Sequence, residues 1–291
     1  MNWRTIVLGI IFLCNMSCED EKPISLKGPN LLVRLKFDGG GERLDNIGNN
    51  AIIPPGNAAV TPLVKGVALH YIELLSTANT PHGYGNIIYQ GAETDLGGSN
   101  AIDFSKCNLE EMDGDVYLSI PIDEITPGSY RYPRVMLAYQ NVEVPIIFNG
   151  AMLQARFAGF LGYNTFISDF RIQDELITVN DDKLQGYWAM EVNYLGFSTA
   201  FTGQVPAYVI SSPNPLYATS PIPLSSCFLT AELSSPLVIT GNETDDITLE
   251  LTFSTNQSFE WKEINLDGKF DPNLGELPMD VAFRGLAARY Y

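Results

Sequence analysis

The chain has 291 residues, 45% of them apolar and only 18% charged, with 34 acidic side chains against 17 basic ones and a formal net charge of −17. That balance excludes a nucleic-acid binder, which needs a basic footprint for phosphates, and a protein held to an anionic lipid surface by charge alone. The apolar fraction is enough for a sizeable core, and the acidity reads as solubility outside the cell or, more sharply, as attraction of cations.

Residues 1–17 read as a lipoprotein signal peptide. Arg4 supplies the positive start, and residues 6–13 form an apolar run. That run is far shorter than the roughly 20 residues a membrane-spanning helix needs, but it suits a signal core. Asn15-Met16-Ser17-Cys18 resembles a lipobox, with Asn15 where an aliphatic residue is usual. Cleavage after Ser17 leaves Cys18 to carry a diacylglycerol and a further fatty chain, and several chains inserted together anchor durably. Glu19-Asp20-Glu21-Lys22 then resembles the surface-export signal of lipoproteins in Bacteroidota. That resemblance implies the outer membrane and its outward face; the plainer alternative is a solvated tether. Residues 18–30 are thus expected to be a lipidated tether, and residues 31–291 a single domain.

Beyond the tether the apolar pattern is short and its period is near two. Residues 31–37 alternate from Val33 onward and stop at Asp38-Gly39-Gly40-Gly41, a strand and its turn. Further strands are expected at residues 67–75, 87–90, 115–120, 130–139 and 142–148. Others follow within 154–172 and at 186–197, 227–233, 237–240 and 247–254. No stretch sustains the 3.6-residue period of an amphipathic helix, and 25 glycines and 18 prolines punctuate the runs. The fold class expected is all-β, an antiparallel β-sandwich of immunoglobulin-like or jelly-roll-like type. Residues 211–226, with four prolines, read as a long surface connection.

Few residues suggest chemistry. No G-x-S-x-G, H-E-x-x-H, P-loop or G-x-G-x-x-G stretch occurs, so an enzyme is not expected. Carboxylates are numerous enough for a glycosidase pair in principle. Cys107 and Cys227 offer a disulfide in an oxidising compartment, which would remove about 4–5 kcal/mol of unfolded-chain entropy in the loop-closure model; the alternative is two separate buried thiols. His70, in a strand pattern, and His82, in a loop, are the only imidazoles and offer a copper pair, or else a half-buried histidine and a bystander. Residues 263–272 space oxygen side chains at alternate positions. Asn265, Asp267 and Asp271 fall at positions 3, 5 and 9 of a calcium loop, with Gly268 at the sharp turn. Position 1 is Glu263 and position 12 is Leu274, so an Asp-Gly turn competes with calcium. Tyr187, Trp188, Tyr194, Phe197, Phe201, Phe259 and Trp261 are enough aromatic surface for a carbohydrate or peptide groove, or simply for a core.

Several segments, among them His70-Tyr71-Ile72-Glu73-Leu74, Pro127-Gly128-Ser129-Tyr130, Gln185-Gly186-Tyr187-Trp188 and Phe283-Arg284-Gly285-Leu286, resemble an uncharacterised surface lipoprotein family of Bacteroidota. That family implies no activity. The leader, the strand at residues 32–37, the Pro-Gly-x-Tyr turn and the Trp-bearing strand are more loosely similar to MbnP-like copper-binding domains. That likeness implies a β-sandwich, and copper only where histidine or modified tryptophan ligands exist. The expectation is therefore a non-enzymatic surface lipoprotein, binding an outer-membrane barrel complex or an extracellular ligand. A calcium- or copper-binding lipoprotein and a carbohydrate-active enzyme are the alternatives.

Overall fold

The computed structural model describes residues 28–107, 113–205, 227–281 and 283–291. The signal peptide and Cys18 lie outside these residues, as do the proline-rich stretch 211–226 and most of the tether. The described chain is all-β, built as a sandwich with a further layer on one face.

The first sheet holds β1 (Asn30–Asp38), β7 (Val116–Pro121), β17 (Ile247–Ser254) and β20 (Gly285–Tyr290), in the order β20-β17-β1-β7. Strands β1 and β17 run parallel in register, Leu31 beside Ile247 and Asp38 beside Ser254. Period-two alternation buries Leu31, Val33 and Leu35 of one and Leu249, Leu251 and Phe253 of the other. The second, larger sheet runs β14-β13-β10-β9-β3-β4. Its strands are β3 (Leu63–Leu75), β4 (Asn86–Gln90), β9 (Tyr132–Phe148), β10 (Ala151–Phe160), β13 (Tyr187–Tyr194) and β14 (Phe197–Gln204). A short β15 (Phe228–Thr230) adds to β9. The main core fills the space between these two sheets.

The large sheet is apolar on its other face too. A second cluster, including Phe104, Tyr139, Phe160 and Phe170, lies there. It is covered by a small sheet of β5 (Glu93–Thr94), β6 (Ala101–Asp103), β11 (Asn164–Arg171) and β12 (Leu176–Leu184). Remaining short pairs join β8 (Gly128–Tyr130) to β16 (Leu237–Ile239), and β18 (Phe259–Lys262) to β2 (Asn57–Val60) and β19 (Pro278–Asp280).

Two departures from simple alternation decide what faces where. The sequence pattern breaks at Gln140-Asn141, yet β9 runs unbroken through them. Asn141 is buried, and its Nδ2 donates to the Ile172 carbonyl at 2.8 Å and to the Tyr139 hydroxyl at 3.2 Å, so its amide nitrogen is satisfied inside the fold. In β3 the pairing slips at His70, with Leu69 opposite Leu137 and Tyr71 opposite Met136. This bulge puts His70 and Tyr71 on the same face. Strict alternation expects His70 beside Ile72 and Leu74; instead those two point into the main core with Leu69.

Candidate binding cleft

The bulge gathers the chain's two histidines on the face away from the main core. His70 is fully buried, its Nε2 2.9 Å from Glu93 Oε1. Burial pushes its pKa down to about 4, outweighing the pull of the Glu93 carboxylate, so the ring is neutral at pH 7. His82 is buried as well, its Nδ1 3.3 Å from Glu73 Oε2. Burial works to raise the Glu73 pKa, but contacts from His82, the Gly85 amide and Arg134 bring it below the usual range. Glu73 Oε1 accepts from the backbone N–H groups of Gly83 and Gly85, at 3.1 and 2.9 Å. Arg134, opposite, donates to the carbonyls of Ala78 and Thr80 at 3.0 and 2.8 Å. The network fastens the loop between β3 and β4 to the sheet.

The copper pair does not form. The Tyr71 ring stands between the histidines, with centroids 4.2 Å from His70 and 4.4 Å from His82, and each imidazole faces its own carboxylate. Among the described residues no group of three or more histidines, cysteines or carboxylates is arranged to hold a metal.

The calcium loop is likewise turned inward. Asp267 Oδ1 accepts from the Lys269 N–H at 2.9 Å, and Asp271 Oδ1 from the Asn273 N–H at 2.9 Å. Buried Glu276 accepts from the amides of Ile264 and Asp271 at 2.9 and 2.7 Å. These oxygens are spent on the loop's own backbone, and Asn265 does not join them in a coordination shell. The competing reading is also modified: Asp267-Gly268 is no two-residue hairpin turn but part of a long excursion between β18 and β19. The disulfide is absent too, for Cys107 and Cys227 are both thiols. Cys227 packs in the main core and Cys107 against the second cluster, so the large sheet stands between them. Burial raises the Cys107 pKa to about 12, which makes it unreactive as a nucleophile.

The aromatic candidates divide by strand parity. Phe259 and Trp261 are buried core residues, and Tyr187 packs toward the second cluster. Trp188, Tyr194, Phe197 and Phe201 share the opposite face of β13 and β14, as the register of Trp188 with Gly203, Met190 with Phe201 and Tyr194 with Phe197 requires. There Trp188 and Phe201 line a cleft of about 420 Å³, walled by Phe148, Trp188 and Phe201 on one side and Phe270, Pro272 and Leu277 on the other, while Phe197 stands exposed at the tip of the β13–β14 hairpin. Phe148 lies 6.0 Å from both Tyr194 and Phe201. The Trp188 indole stacks on Phe157 at 5.3 Å and lies across Gly203, where a Cβ would come within 2.3 Å of the ring. Only glycine at 203 lets the indole lie flat there.

This cleft is open and apolar, whereas the carboxylates of Glu73, Glu93 and Glu276 are paired within the fold. Sequence reading marked two of its aromatics, Trp188 and Phe201, but missed Phe148, Phe270 and Leu277. They come from distant segments, and the bridge of Ile146 with Phe270, together with the Asn273 side-chain amide donating to Asn149 at 3.1 Å, brings the 263–278 excursion against the sheet. A scan of protein-family models, a search of curated proteins and a search of solved structures each found no match to this chain.

Proposed function

We propose that this protein is a non-enzymatic binding lipoprotein of the outer membrane, anchored through Cys18, exposed at the cell surface, and acting as an accessory subunit that captures a protein partner in the cleft. The observation that carries this reading is the exposed aromatic cleft. A well-formed apolar pocket with few polar groups is the default binding site of an uncharacterised fold, and the histidine–carboxylate clusters around Tyr71 are paired internally. The direction of the chain agrees with it. The tether enters at Asn30, beside Ile247. The cleft's second wall hangs from β18, which follows the opposite end of β17, where Thr255 N–H bonds to the Asp38 carbonyl. Tether and cleft wall are thus separated by the length of β1, about 25–30 Å at strand rise.

The test is site-specific photocrosslinking in native membranes. A benzophenone amino acid replacing Phe197, exposed at the hairpin tip on the same face of β14 as the cleft residue Phe201, is expected to join the protein to one membrane partner. The same probe replacing Leu184, exposed on β12, is not. Identical patterns from both positions, or recovery of nothing but uncrosslinked monomer, would overturn the proposal. Intact-mass analysis of the natural protein is expected to show acyl mass on Cys18.

A further inference from the structure

Among the described residues strand β14 ends its sheet, pairing only with β13. The two are joined by Leu195-Gly196, both at positive φ (51° and 83°), a type I′ turn that makes Tyr194 and Phe197 a hydrogen-bonded pair. The Val205 N–H donating to the Gly186 carbonyl at 2.9 Å fixes the same parity at the other end. It follows that Phe197, Thr199, Phe201 and Gly203 spend their backbone groups on β13. Ser198, Ala200, Thr202 and Gln204 turn theirs outward.

Natural edge strands are usually blunted by charge, proline or a bulge. Residues 197–204 read Phe-Ser-Thr-Ala-Phe-Thr-Gly-Gln, with no charge and no proline, in a chain of net charge −17, and their pairing with β13 is unbroken by any register shift. The tip is equally unguarded. Leu195 is 79% and Phe197 78% exposed, and Leu195 holds a left-handed conformation that favours glycine or asparagine. The edge's outward backbone row runs beside the aromatic cleft.

Resting on the binding reading above, we infer that the partner docks as an extended strand, adding to the sheet along β14 and placing alternate apolar side chains in the cleft. Backbone pairing then supplies affinity and the cleft supplies selection. Charge selects further. At its surface the wall at residues 263–277 carries Glu263, Asp267 and Asp271 against Lys269 alone. The strand that fits is therefore apolar in alternation and basic at its flanks, and it belongs to another protein: a second copy would bring the same acidic wall and the same net charge.

The experiment uses a fluorescent ten-residue peptide of alternating threonine and phenylalanine with a lysine at each end, titrated into the mature full chain. Thr202→Pro removes an outward N–H and leaves the β13 ladder intact, a substitution edge strands tolerate. It is expected to weaken binding about tenfold, the worth of one or two backbone hydrogen bonds, with an unchanged melting temperature. Phe201→Ala is expected to weaken it similarly, and hydrogen exchange at residues 198–204 to slow when peptide binds. Full binding by Thr202→Pro together with loss in Phe201→Ala would overturn strand addition while leaving the cleft as the binding site. No binding of peptide to the wild-type chain would overturn the inference, as would outward amides already protected in the free protein. A dimer that Thr202→Pro separates would replace the foreign strand by a second copy and overturn the choice of partner. Loss of the Phe197 photocrosslink in membranes is the distinct result that would sink the binding reading itself.

Discussion

The two faces of the large sheet handle exposure in opposite ways. Around Tyr71, four ionisable side chains are taken out of water, His70, His82, Glu73 and Arg134, with half-buried Glu93 beside them. Glu73 and Arg134 are held against one another and against loop backbone. On the other face, toward the β14 edge, large apolar side chains are left partly in water, Phe201 lining an open cleft and Phe197 at the hairpin tip. Burying charge is costly, and a buried pair is weak ground for claiming net stability, so the first region is best understood as a fastener that fixes one loop. Exposed aromatics beside an open backbone edge also cost something, and they return it only when a partner arrives.

The comparison predicts its largest effect at Glu73. Glu73→Gln keeps the shape but leaves Arg134 buried without its countercharge, at 3.4 Å from the lost oxygen. Breaking one partner of a buried pair costs about 3–5 kcal/mol. Urea unfolding is expected to show that loss, with fast amide exchange confined to residues 76–85, while the folded fraction still crosslinks through Phe197. A loss under about 1 kcal/mol, within the range of an exposed ion pair, would dissolve the distinction between the regions.

Acid should act on the same region next. The folded His70 titrates near pH 4, against about 6.5 when unfolded. Between those values the unfolded chain takes up a proton that the folded one refuses. The contribution of His70 is therefore complete above pH 6.5 and disappears as pH falls toward 4, by roughly 3 kcal/mol for a gap of this size. Glu93, whose pKa is lowered against burial by bonds from Asn100, Tyr71 and His70, adds a loss that sets in below its ordinary value near 4.5. Melting temperatures of wild type and His70→Gln measured from pH 7.5 to 4 are expected to diverge at neutral pH and converge in acid. Parallel curves would mean that His70 is not the group titrating.

What was legible in the chain follows the same division. Alternating apolar runs exposed the all-β class and strands such as β1, β7, β9 and β17, because burial on one face writes itself as period two. Strand β12, Leu-Ile-Thr-Val-Asn-Asp-Asp-Lys-Leu, was invisible, since an outer strand needs little apolar content. Most of β14 was missed for a related reason: Phe-Ser-Thr-Ala-Phe-Thr-Gly-Gln is only weakly apolar, and its edge position belongs to topology. The His70–Tyr71 bulge could not be read either, because a one-residue slip reverses every facing downstream without changing composition. That slip, rather than any motif, brings two histidines 12 residues apart in sequence to the same tyrosine.

The smallest expected effect concerns the cleft's own wall. The 263–278 excursion has calcium-like spacing, but Asp267 and Asp271 already accept from Lys269 and Asn273 amides, and Glu276 from two more. Were a cation holding the wall, calcium at a hundred times its dissociation constant would stabilise the fold by about 2.7 kcal/mol, an easily measured rise in melting temperature. The turns as they stand need no cation. Calcium at millimolar concentration is expected to leave the melting curve unchanged, and Asp267→Ala to cost about 0.5–1 kcal/mol, the worth of one exposed turn hydrogen bond. The two measurements belong together, since a calcium-dependent rise abolished by Asp267→Ala would make the wall a metal-gated surface. A flat response instead leaves a cleft preformed by its own backbone, with an acidic wall facing any basic strand that docks beside it.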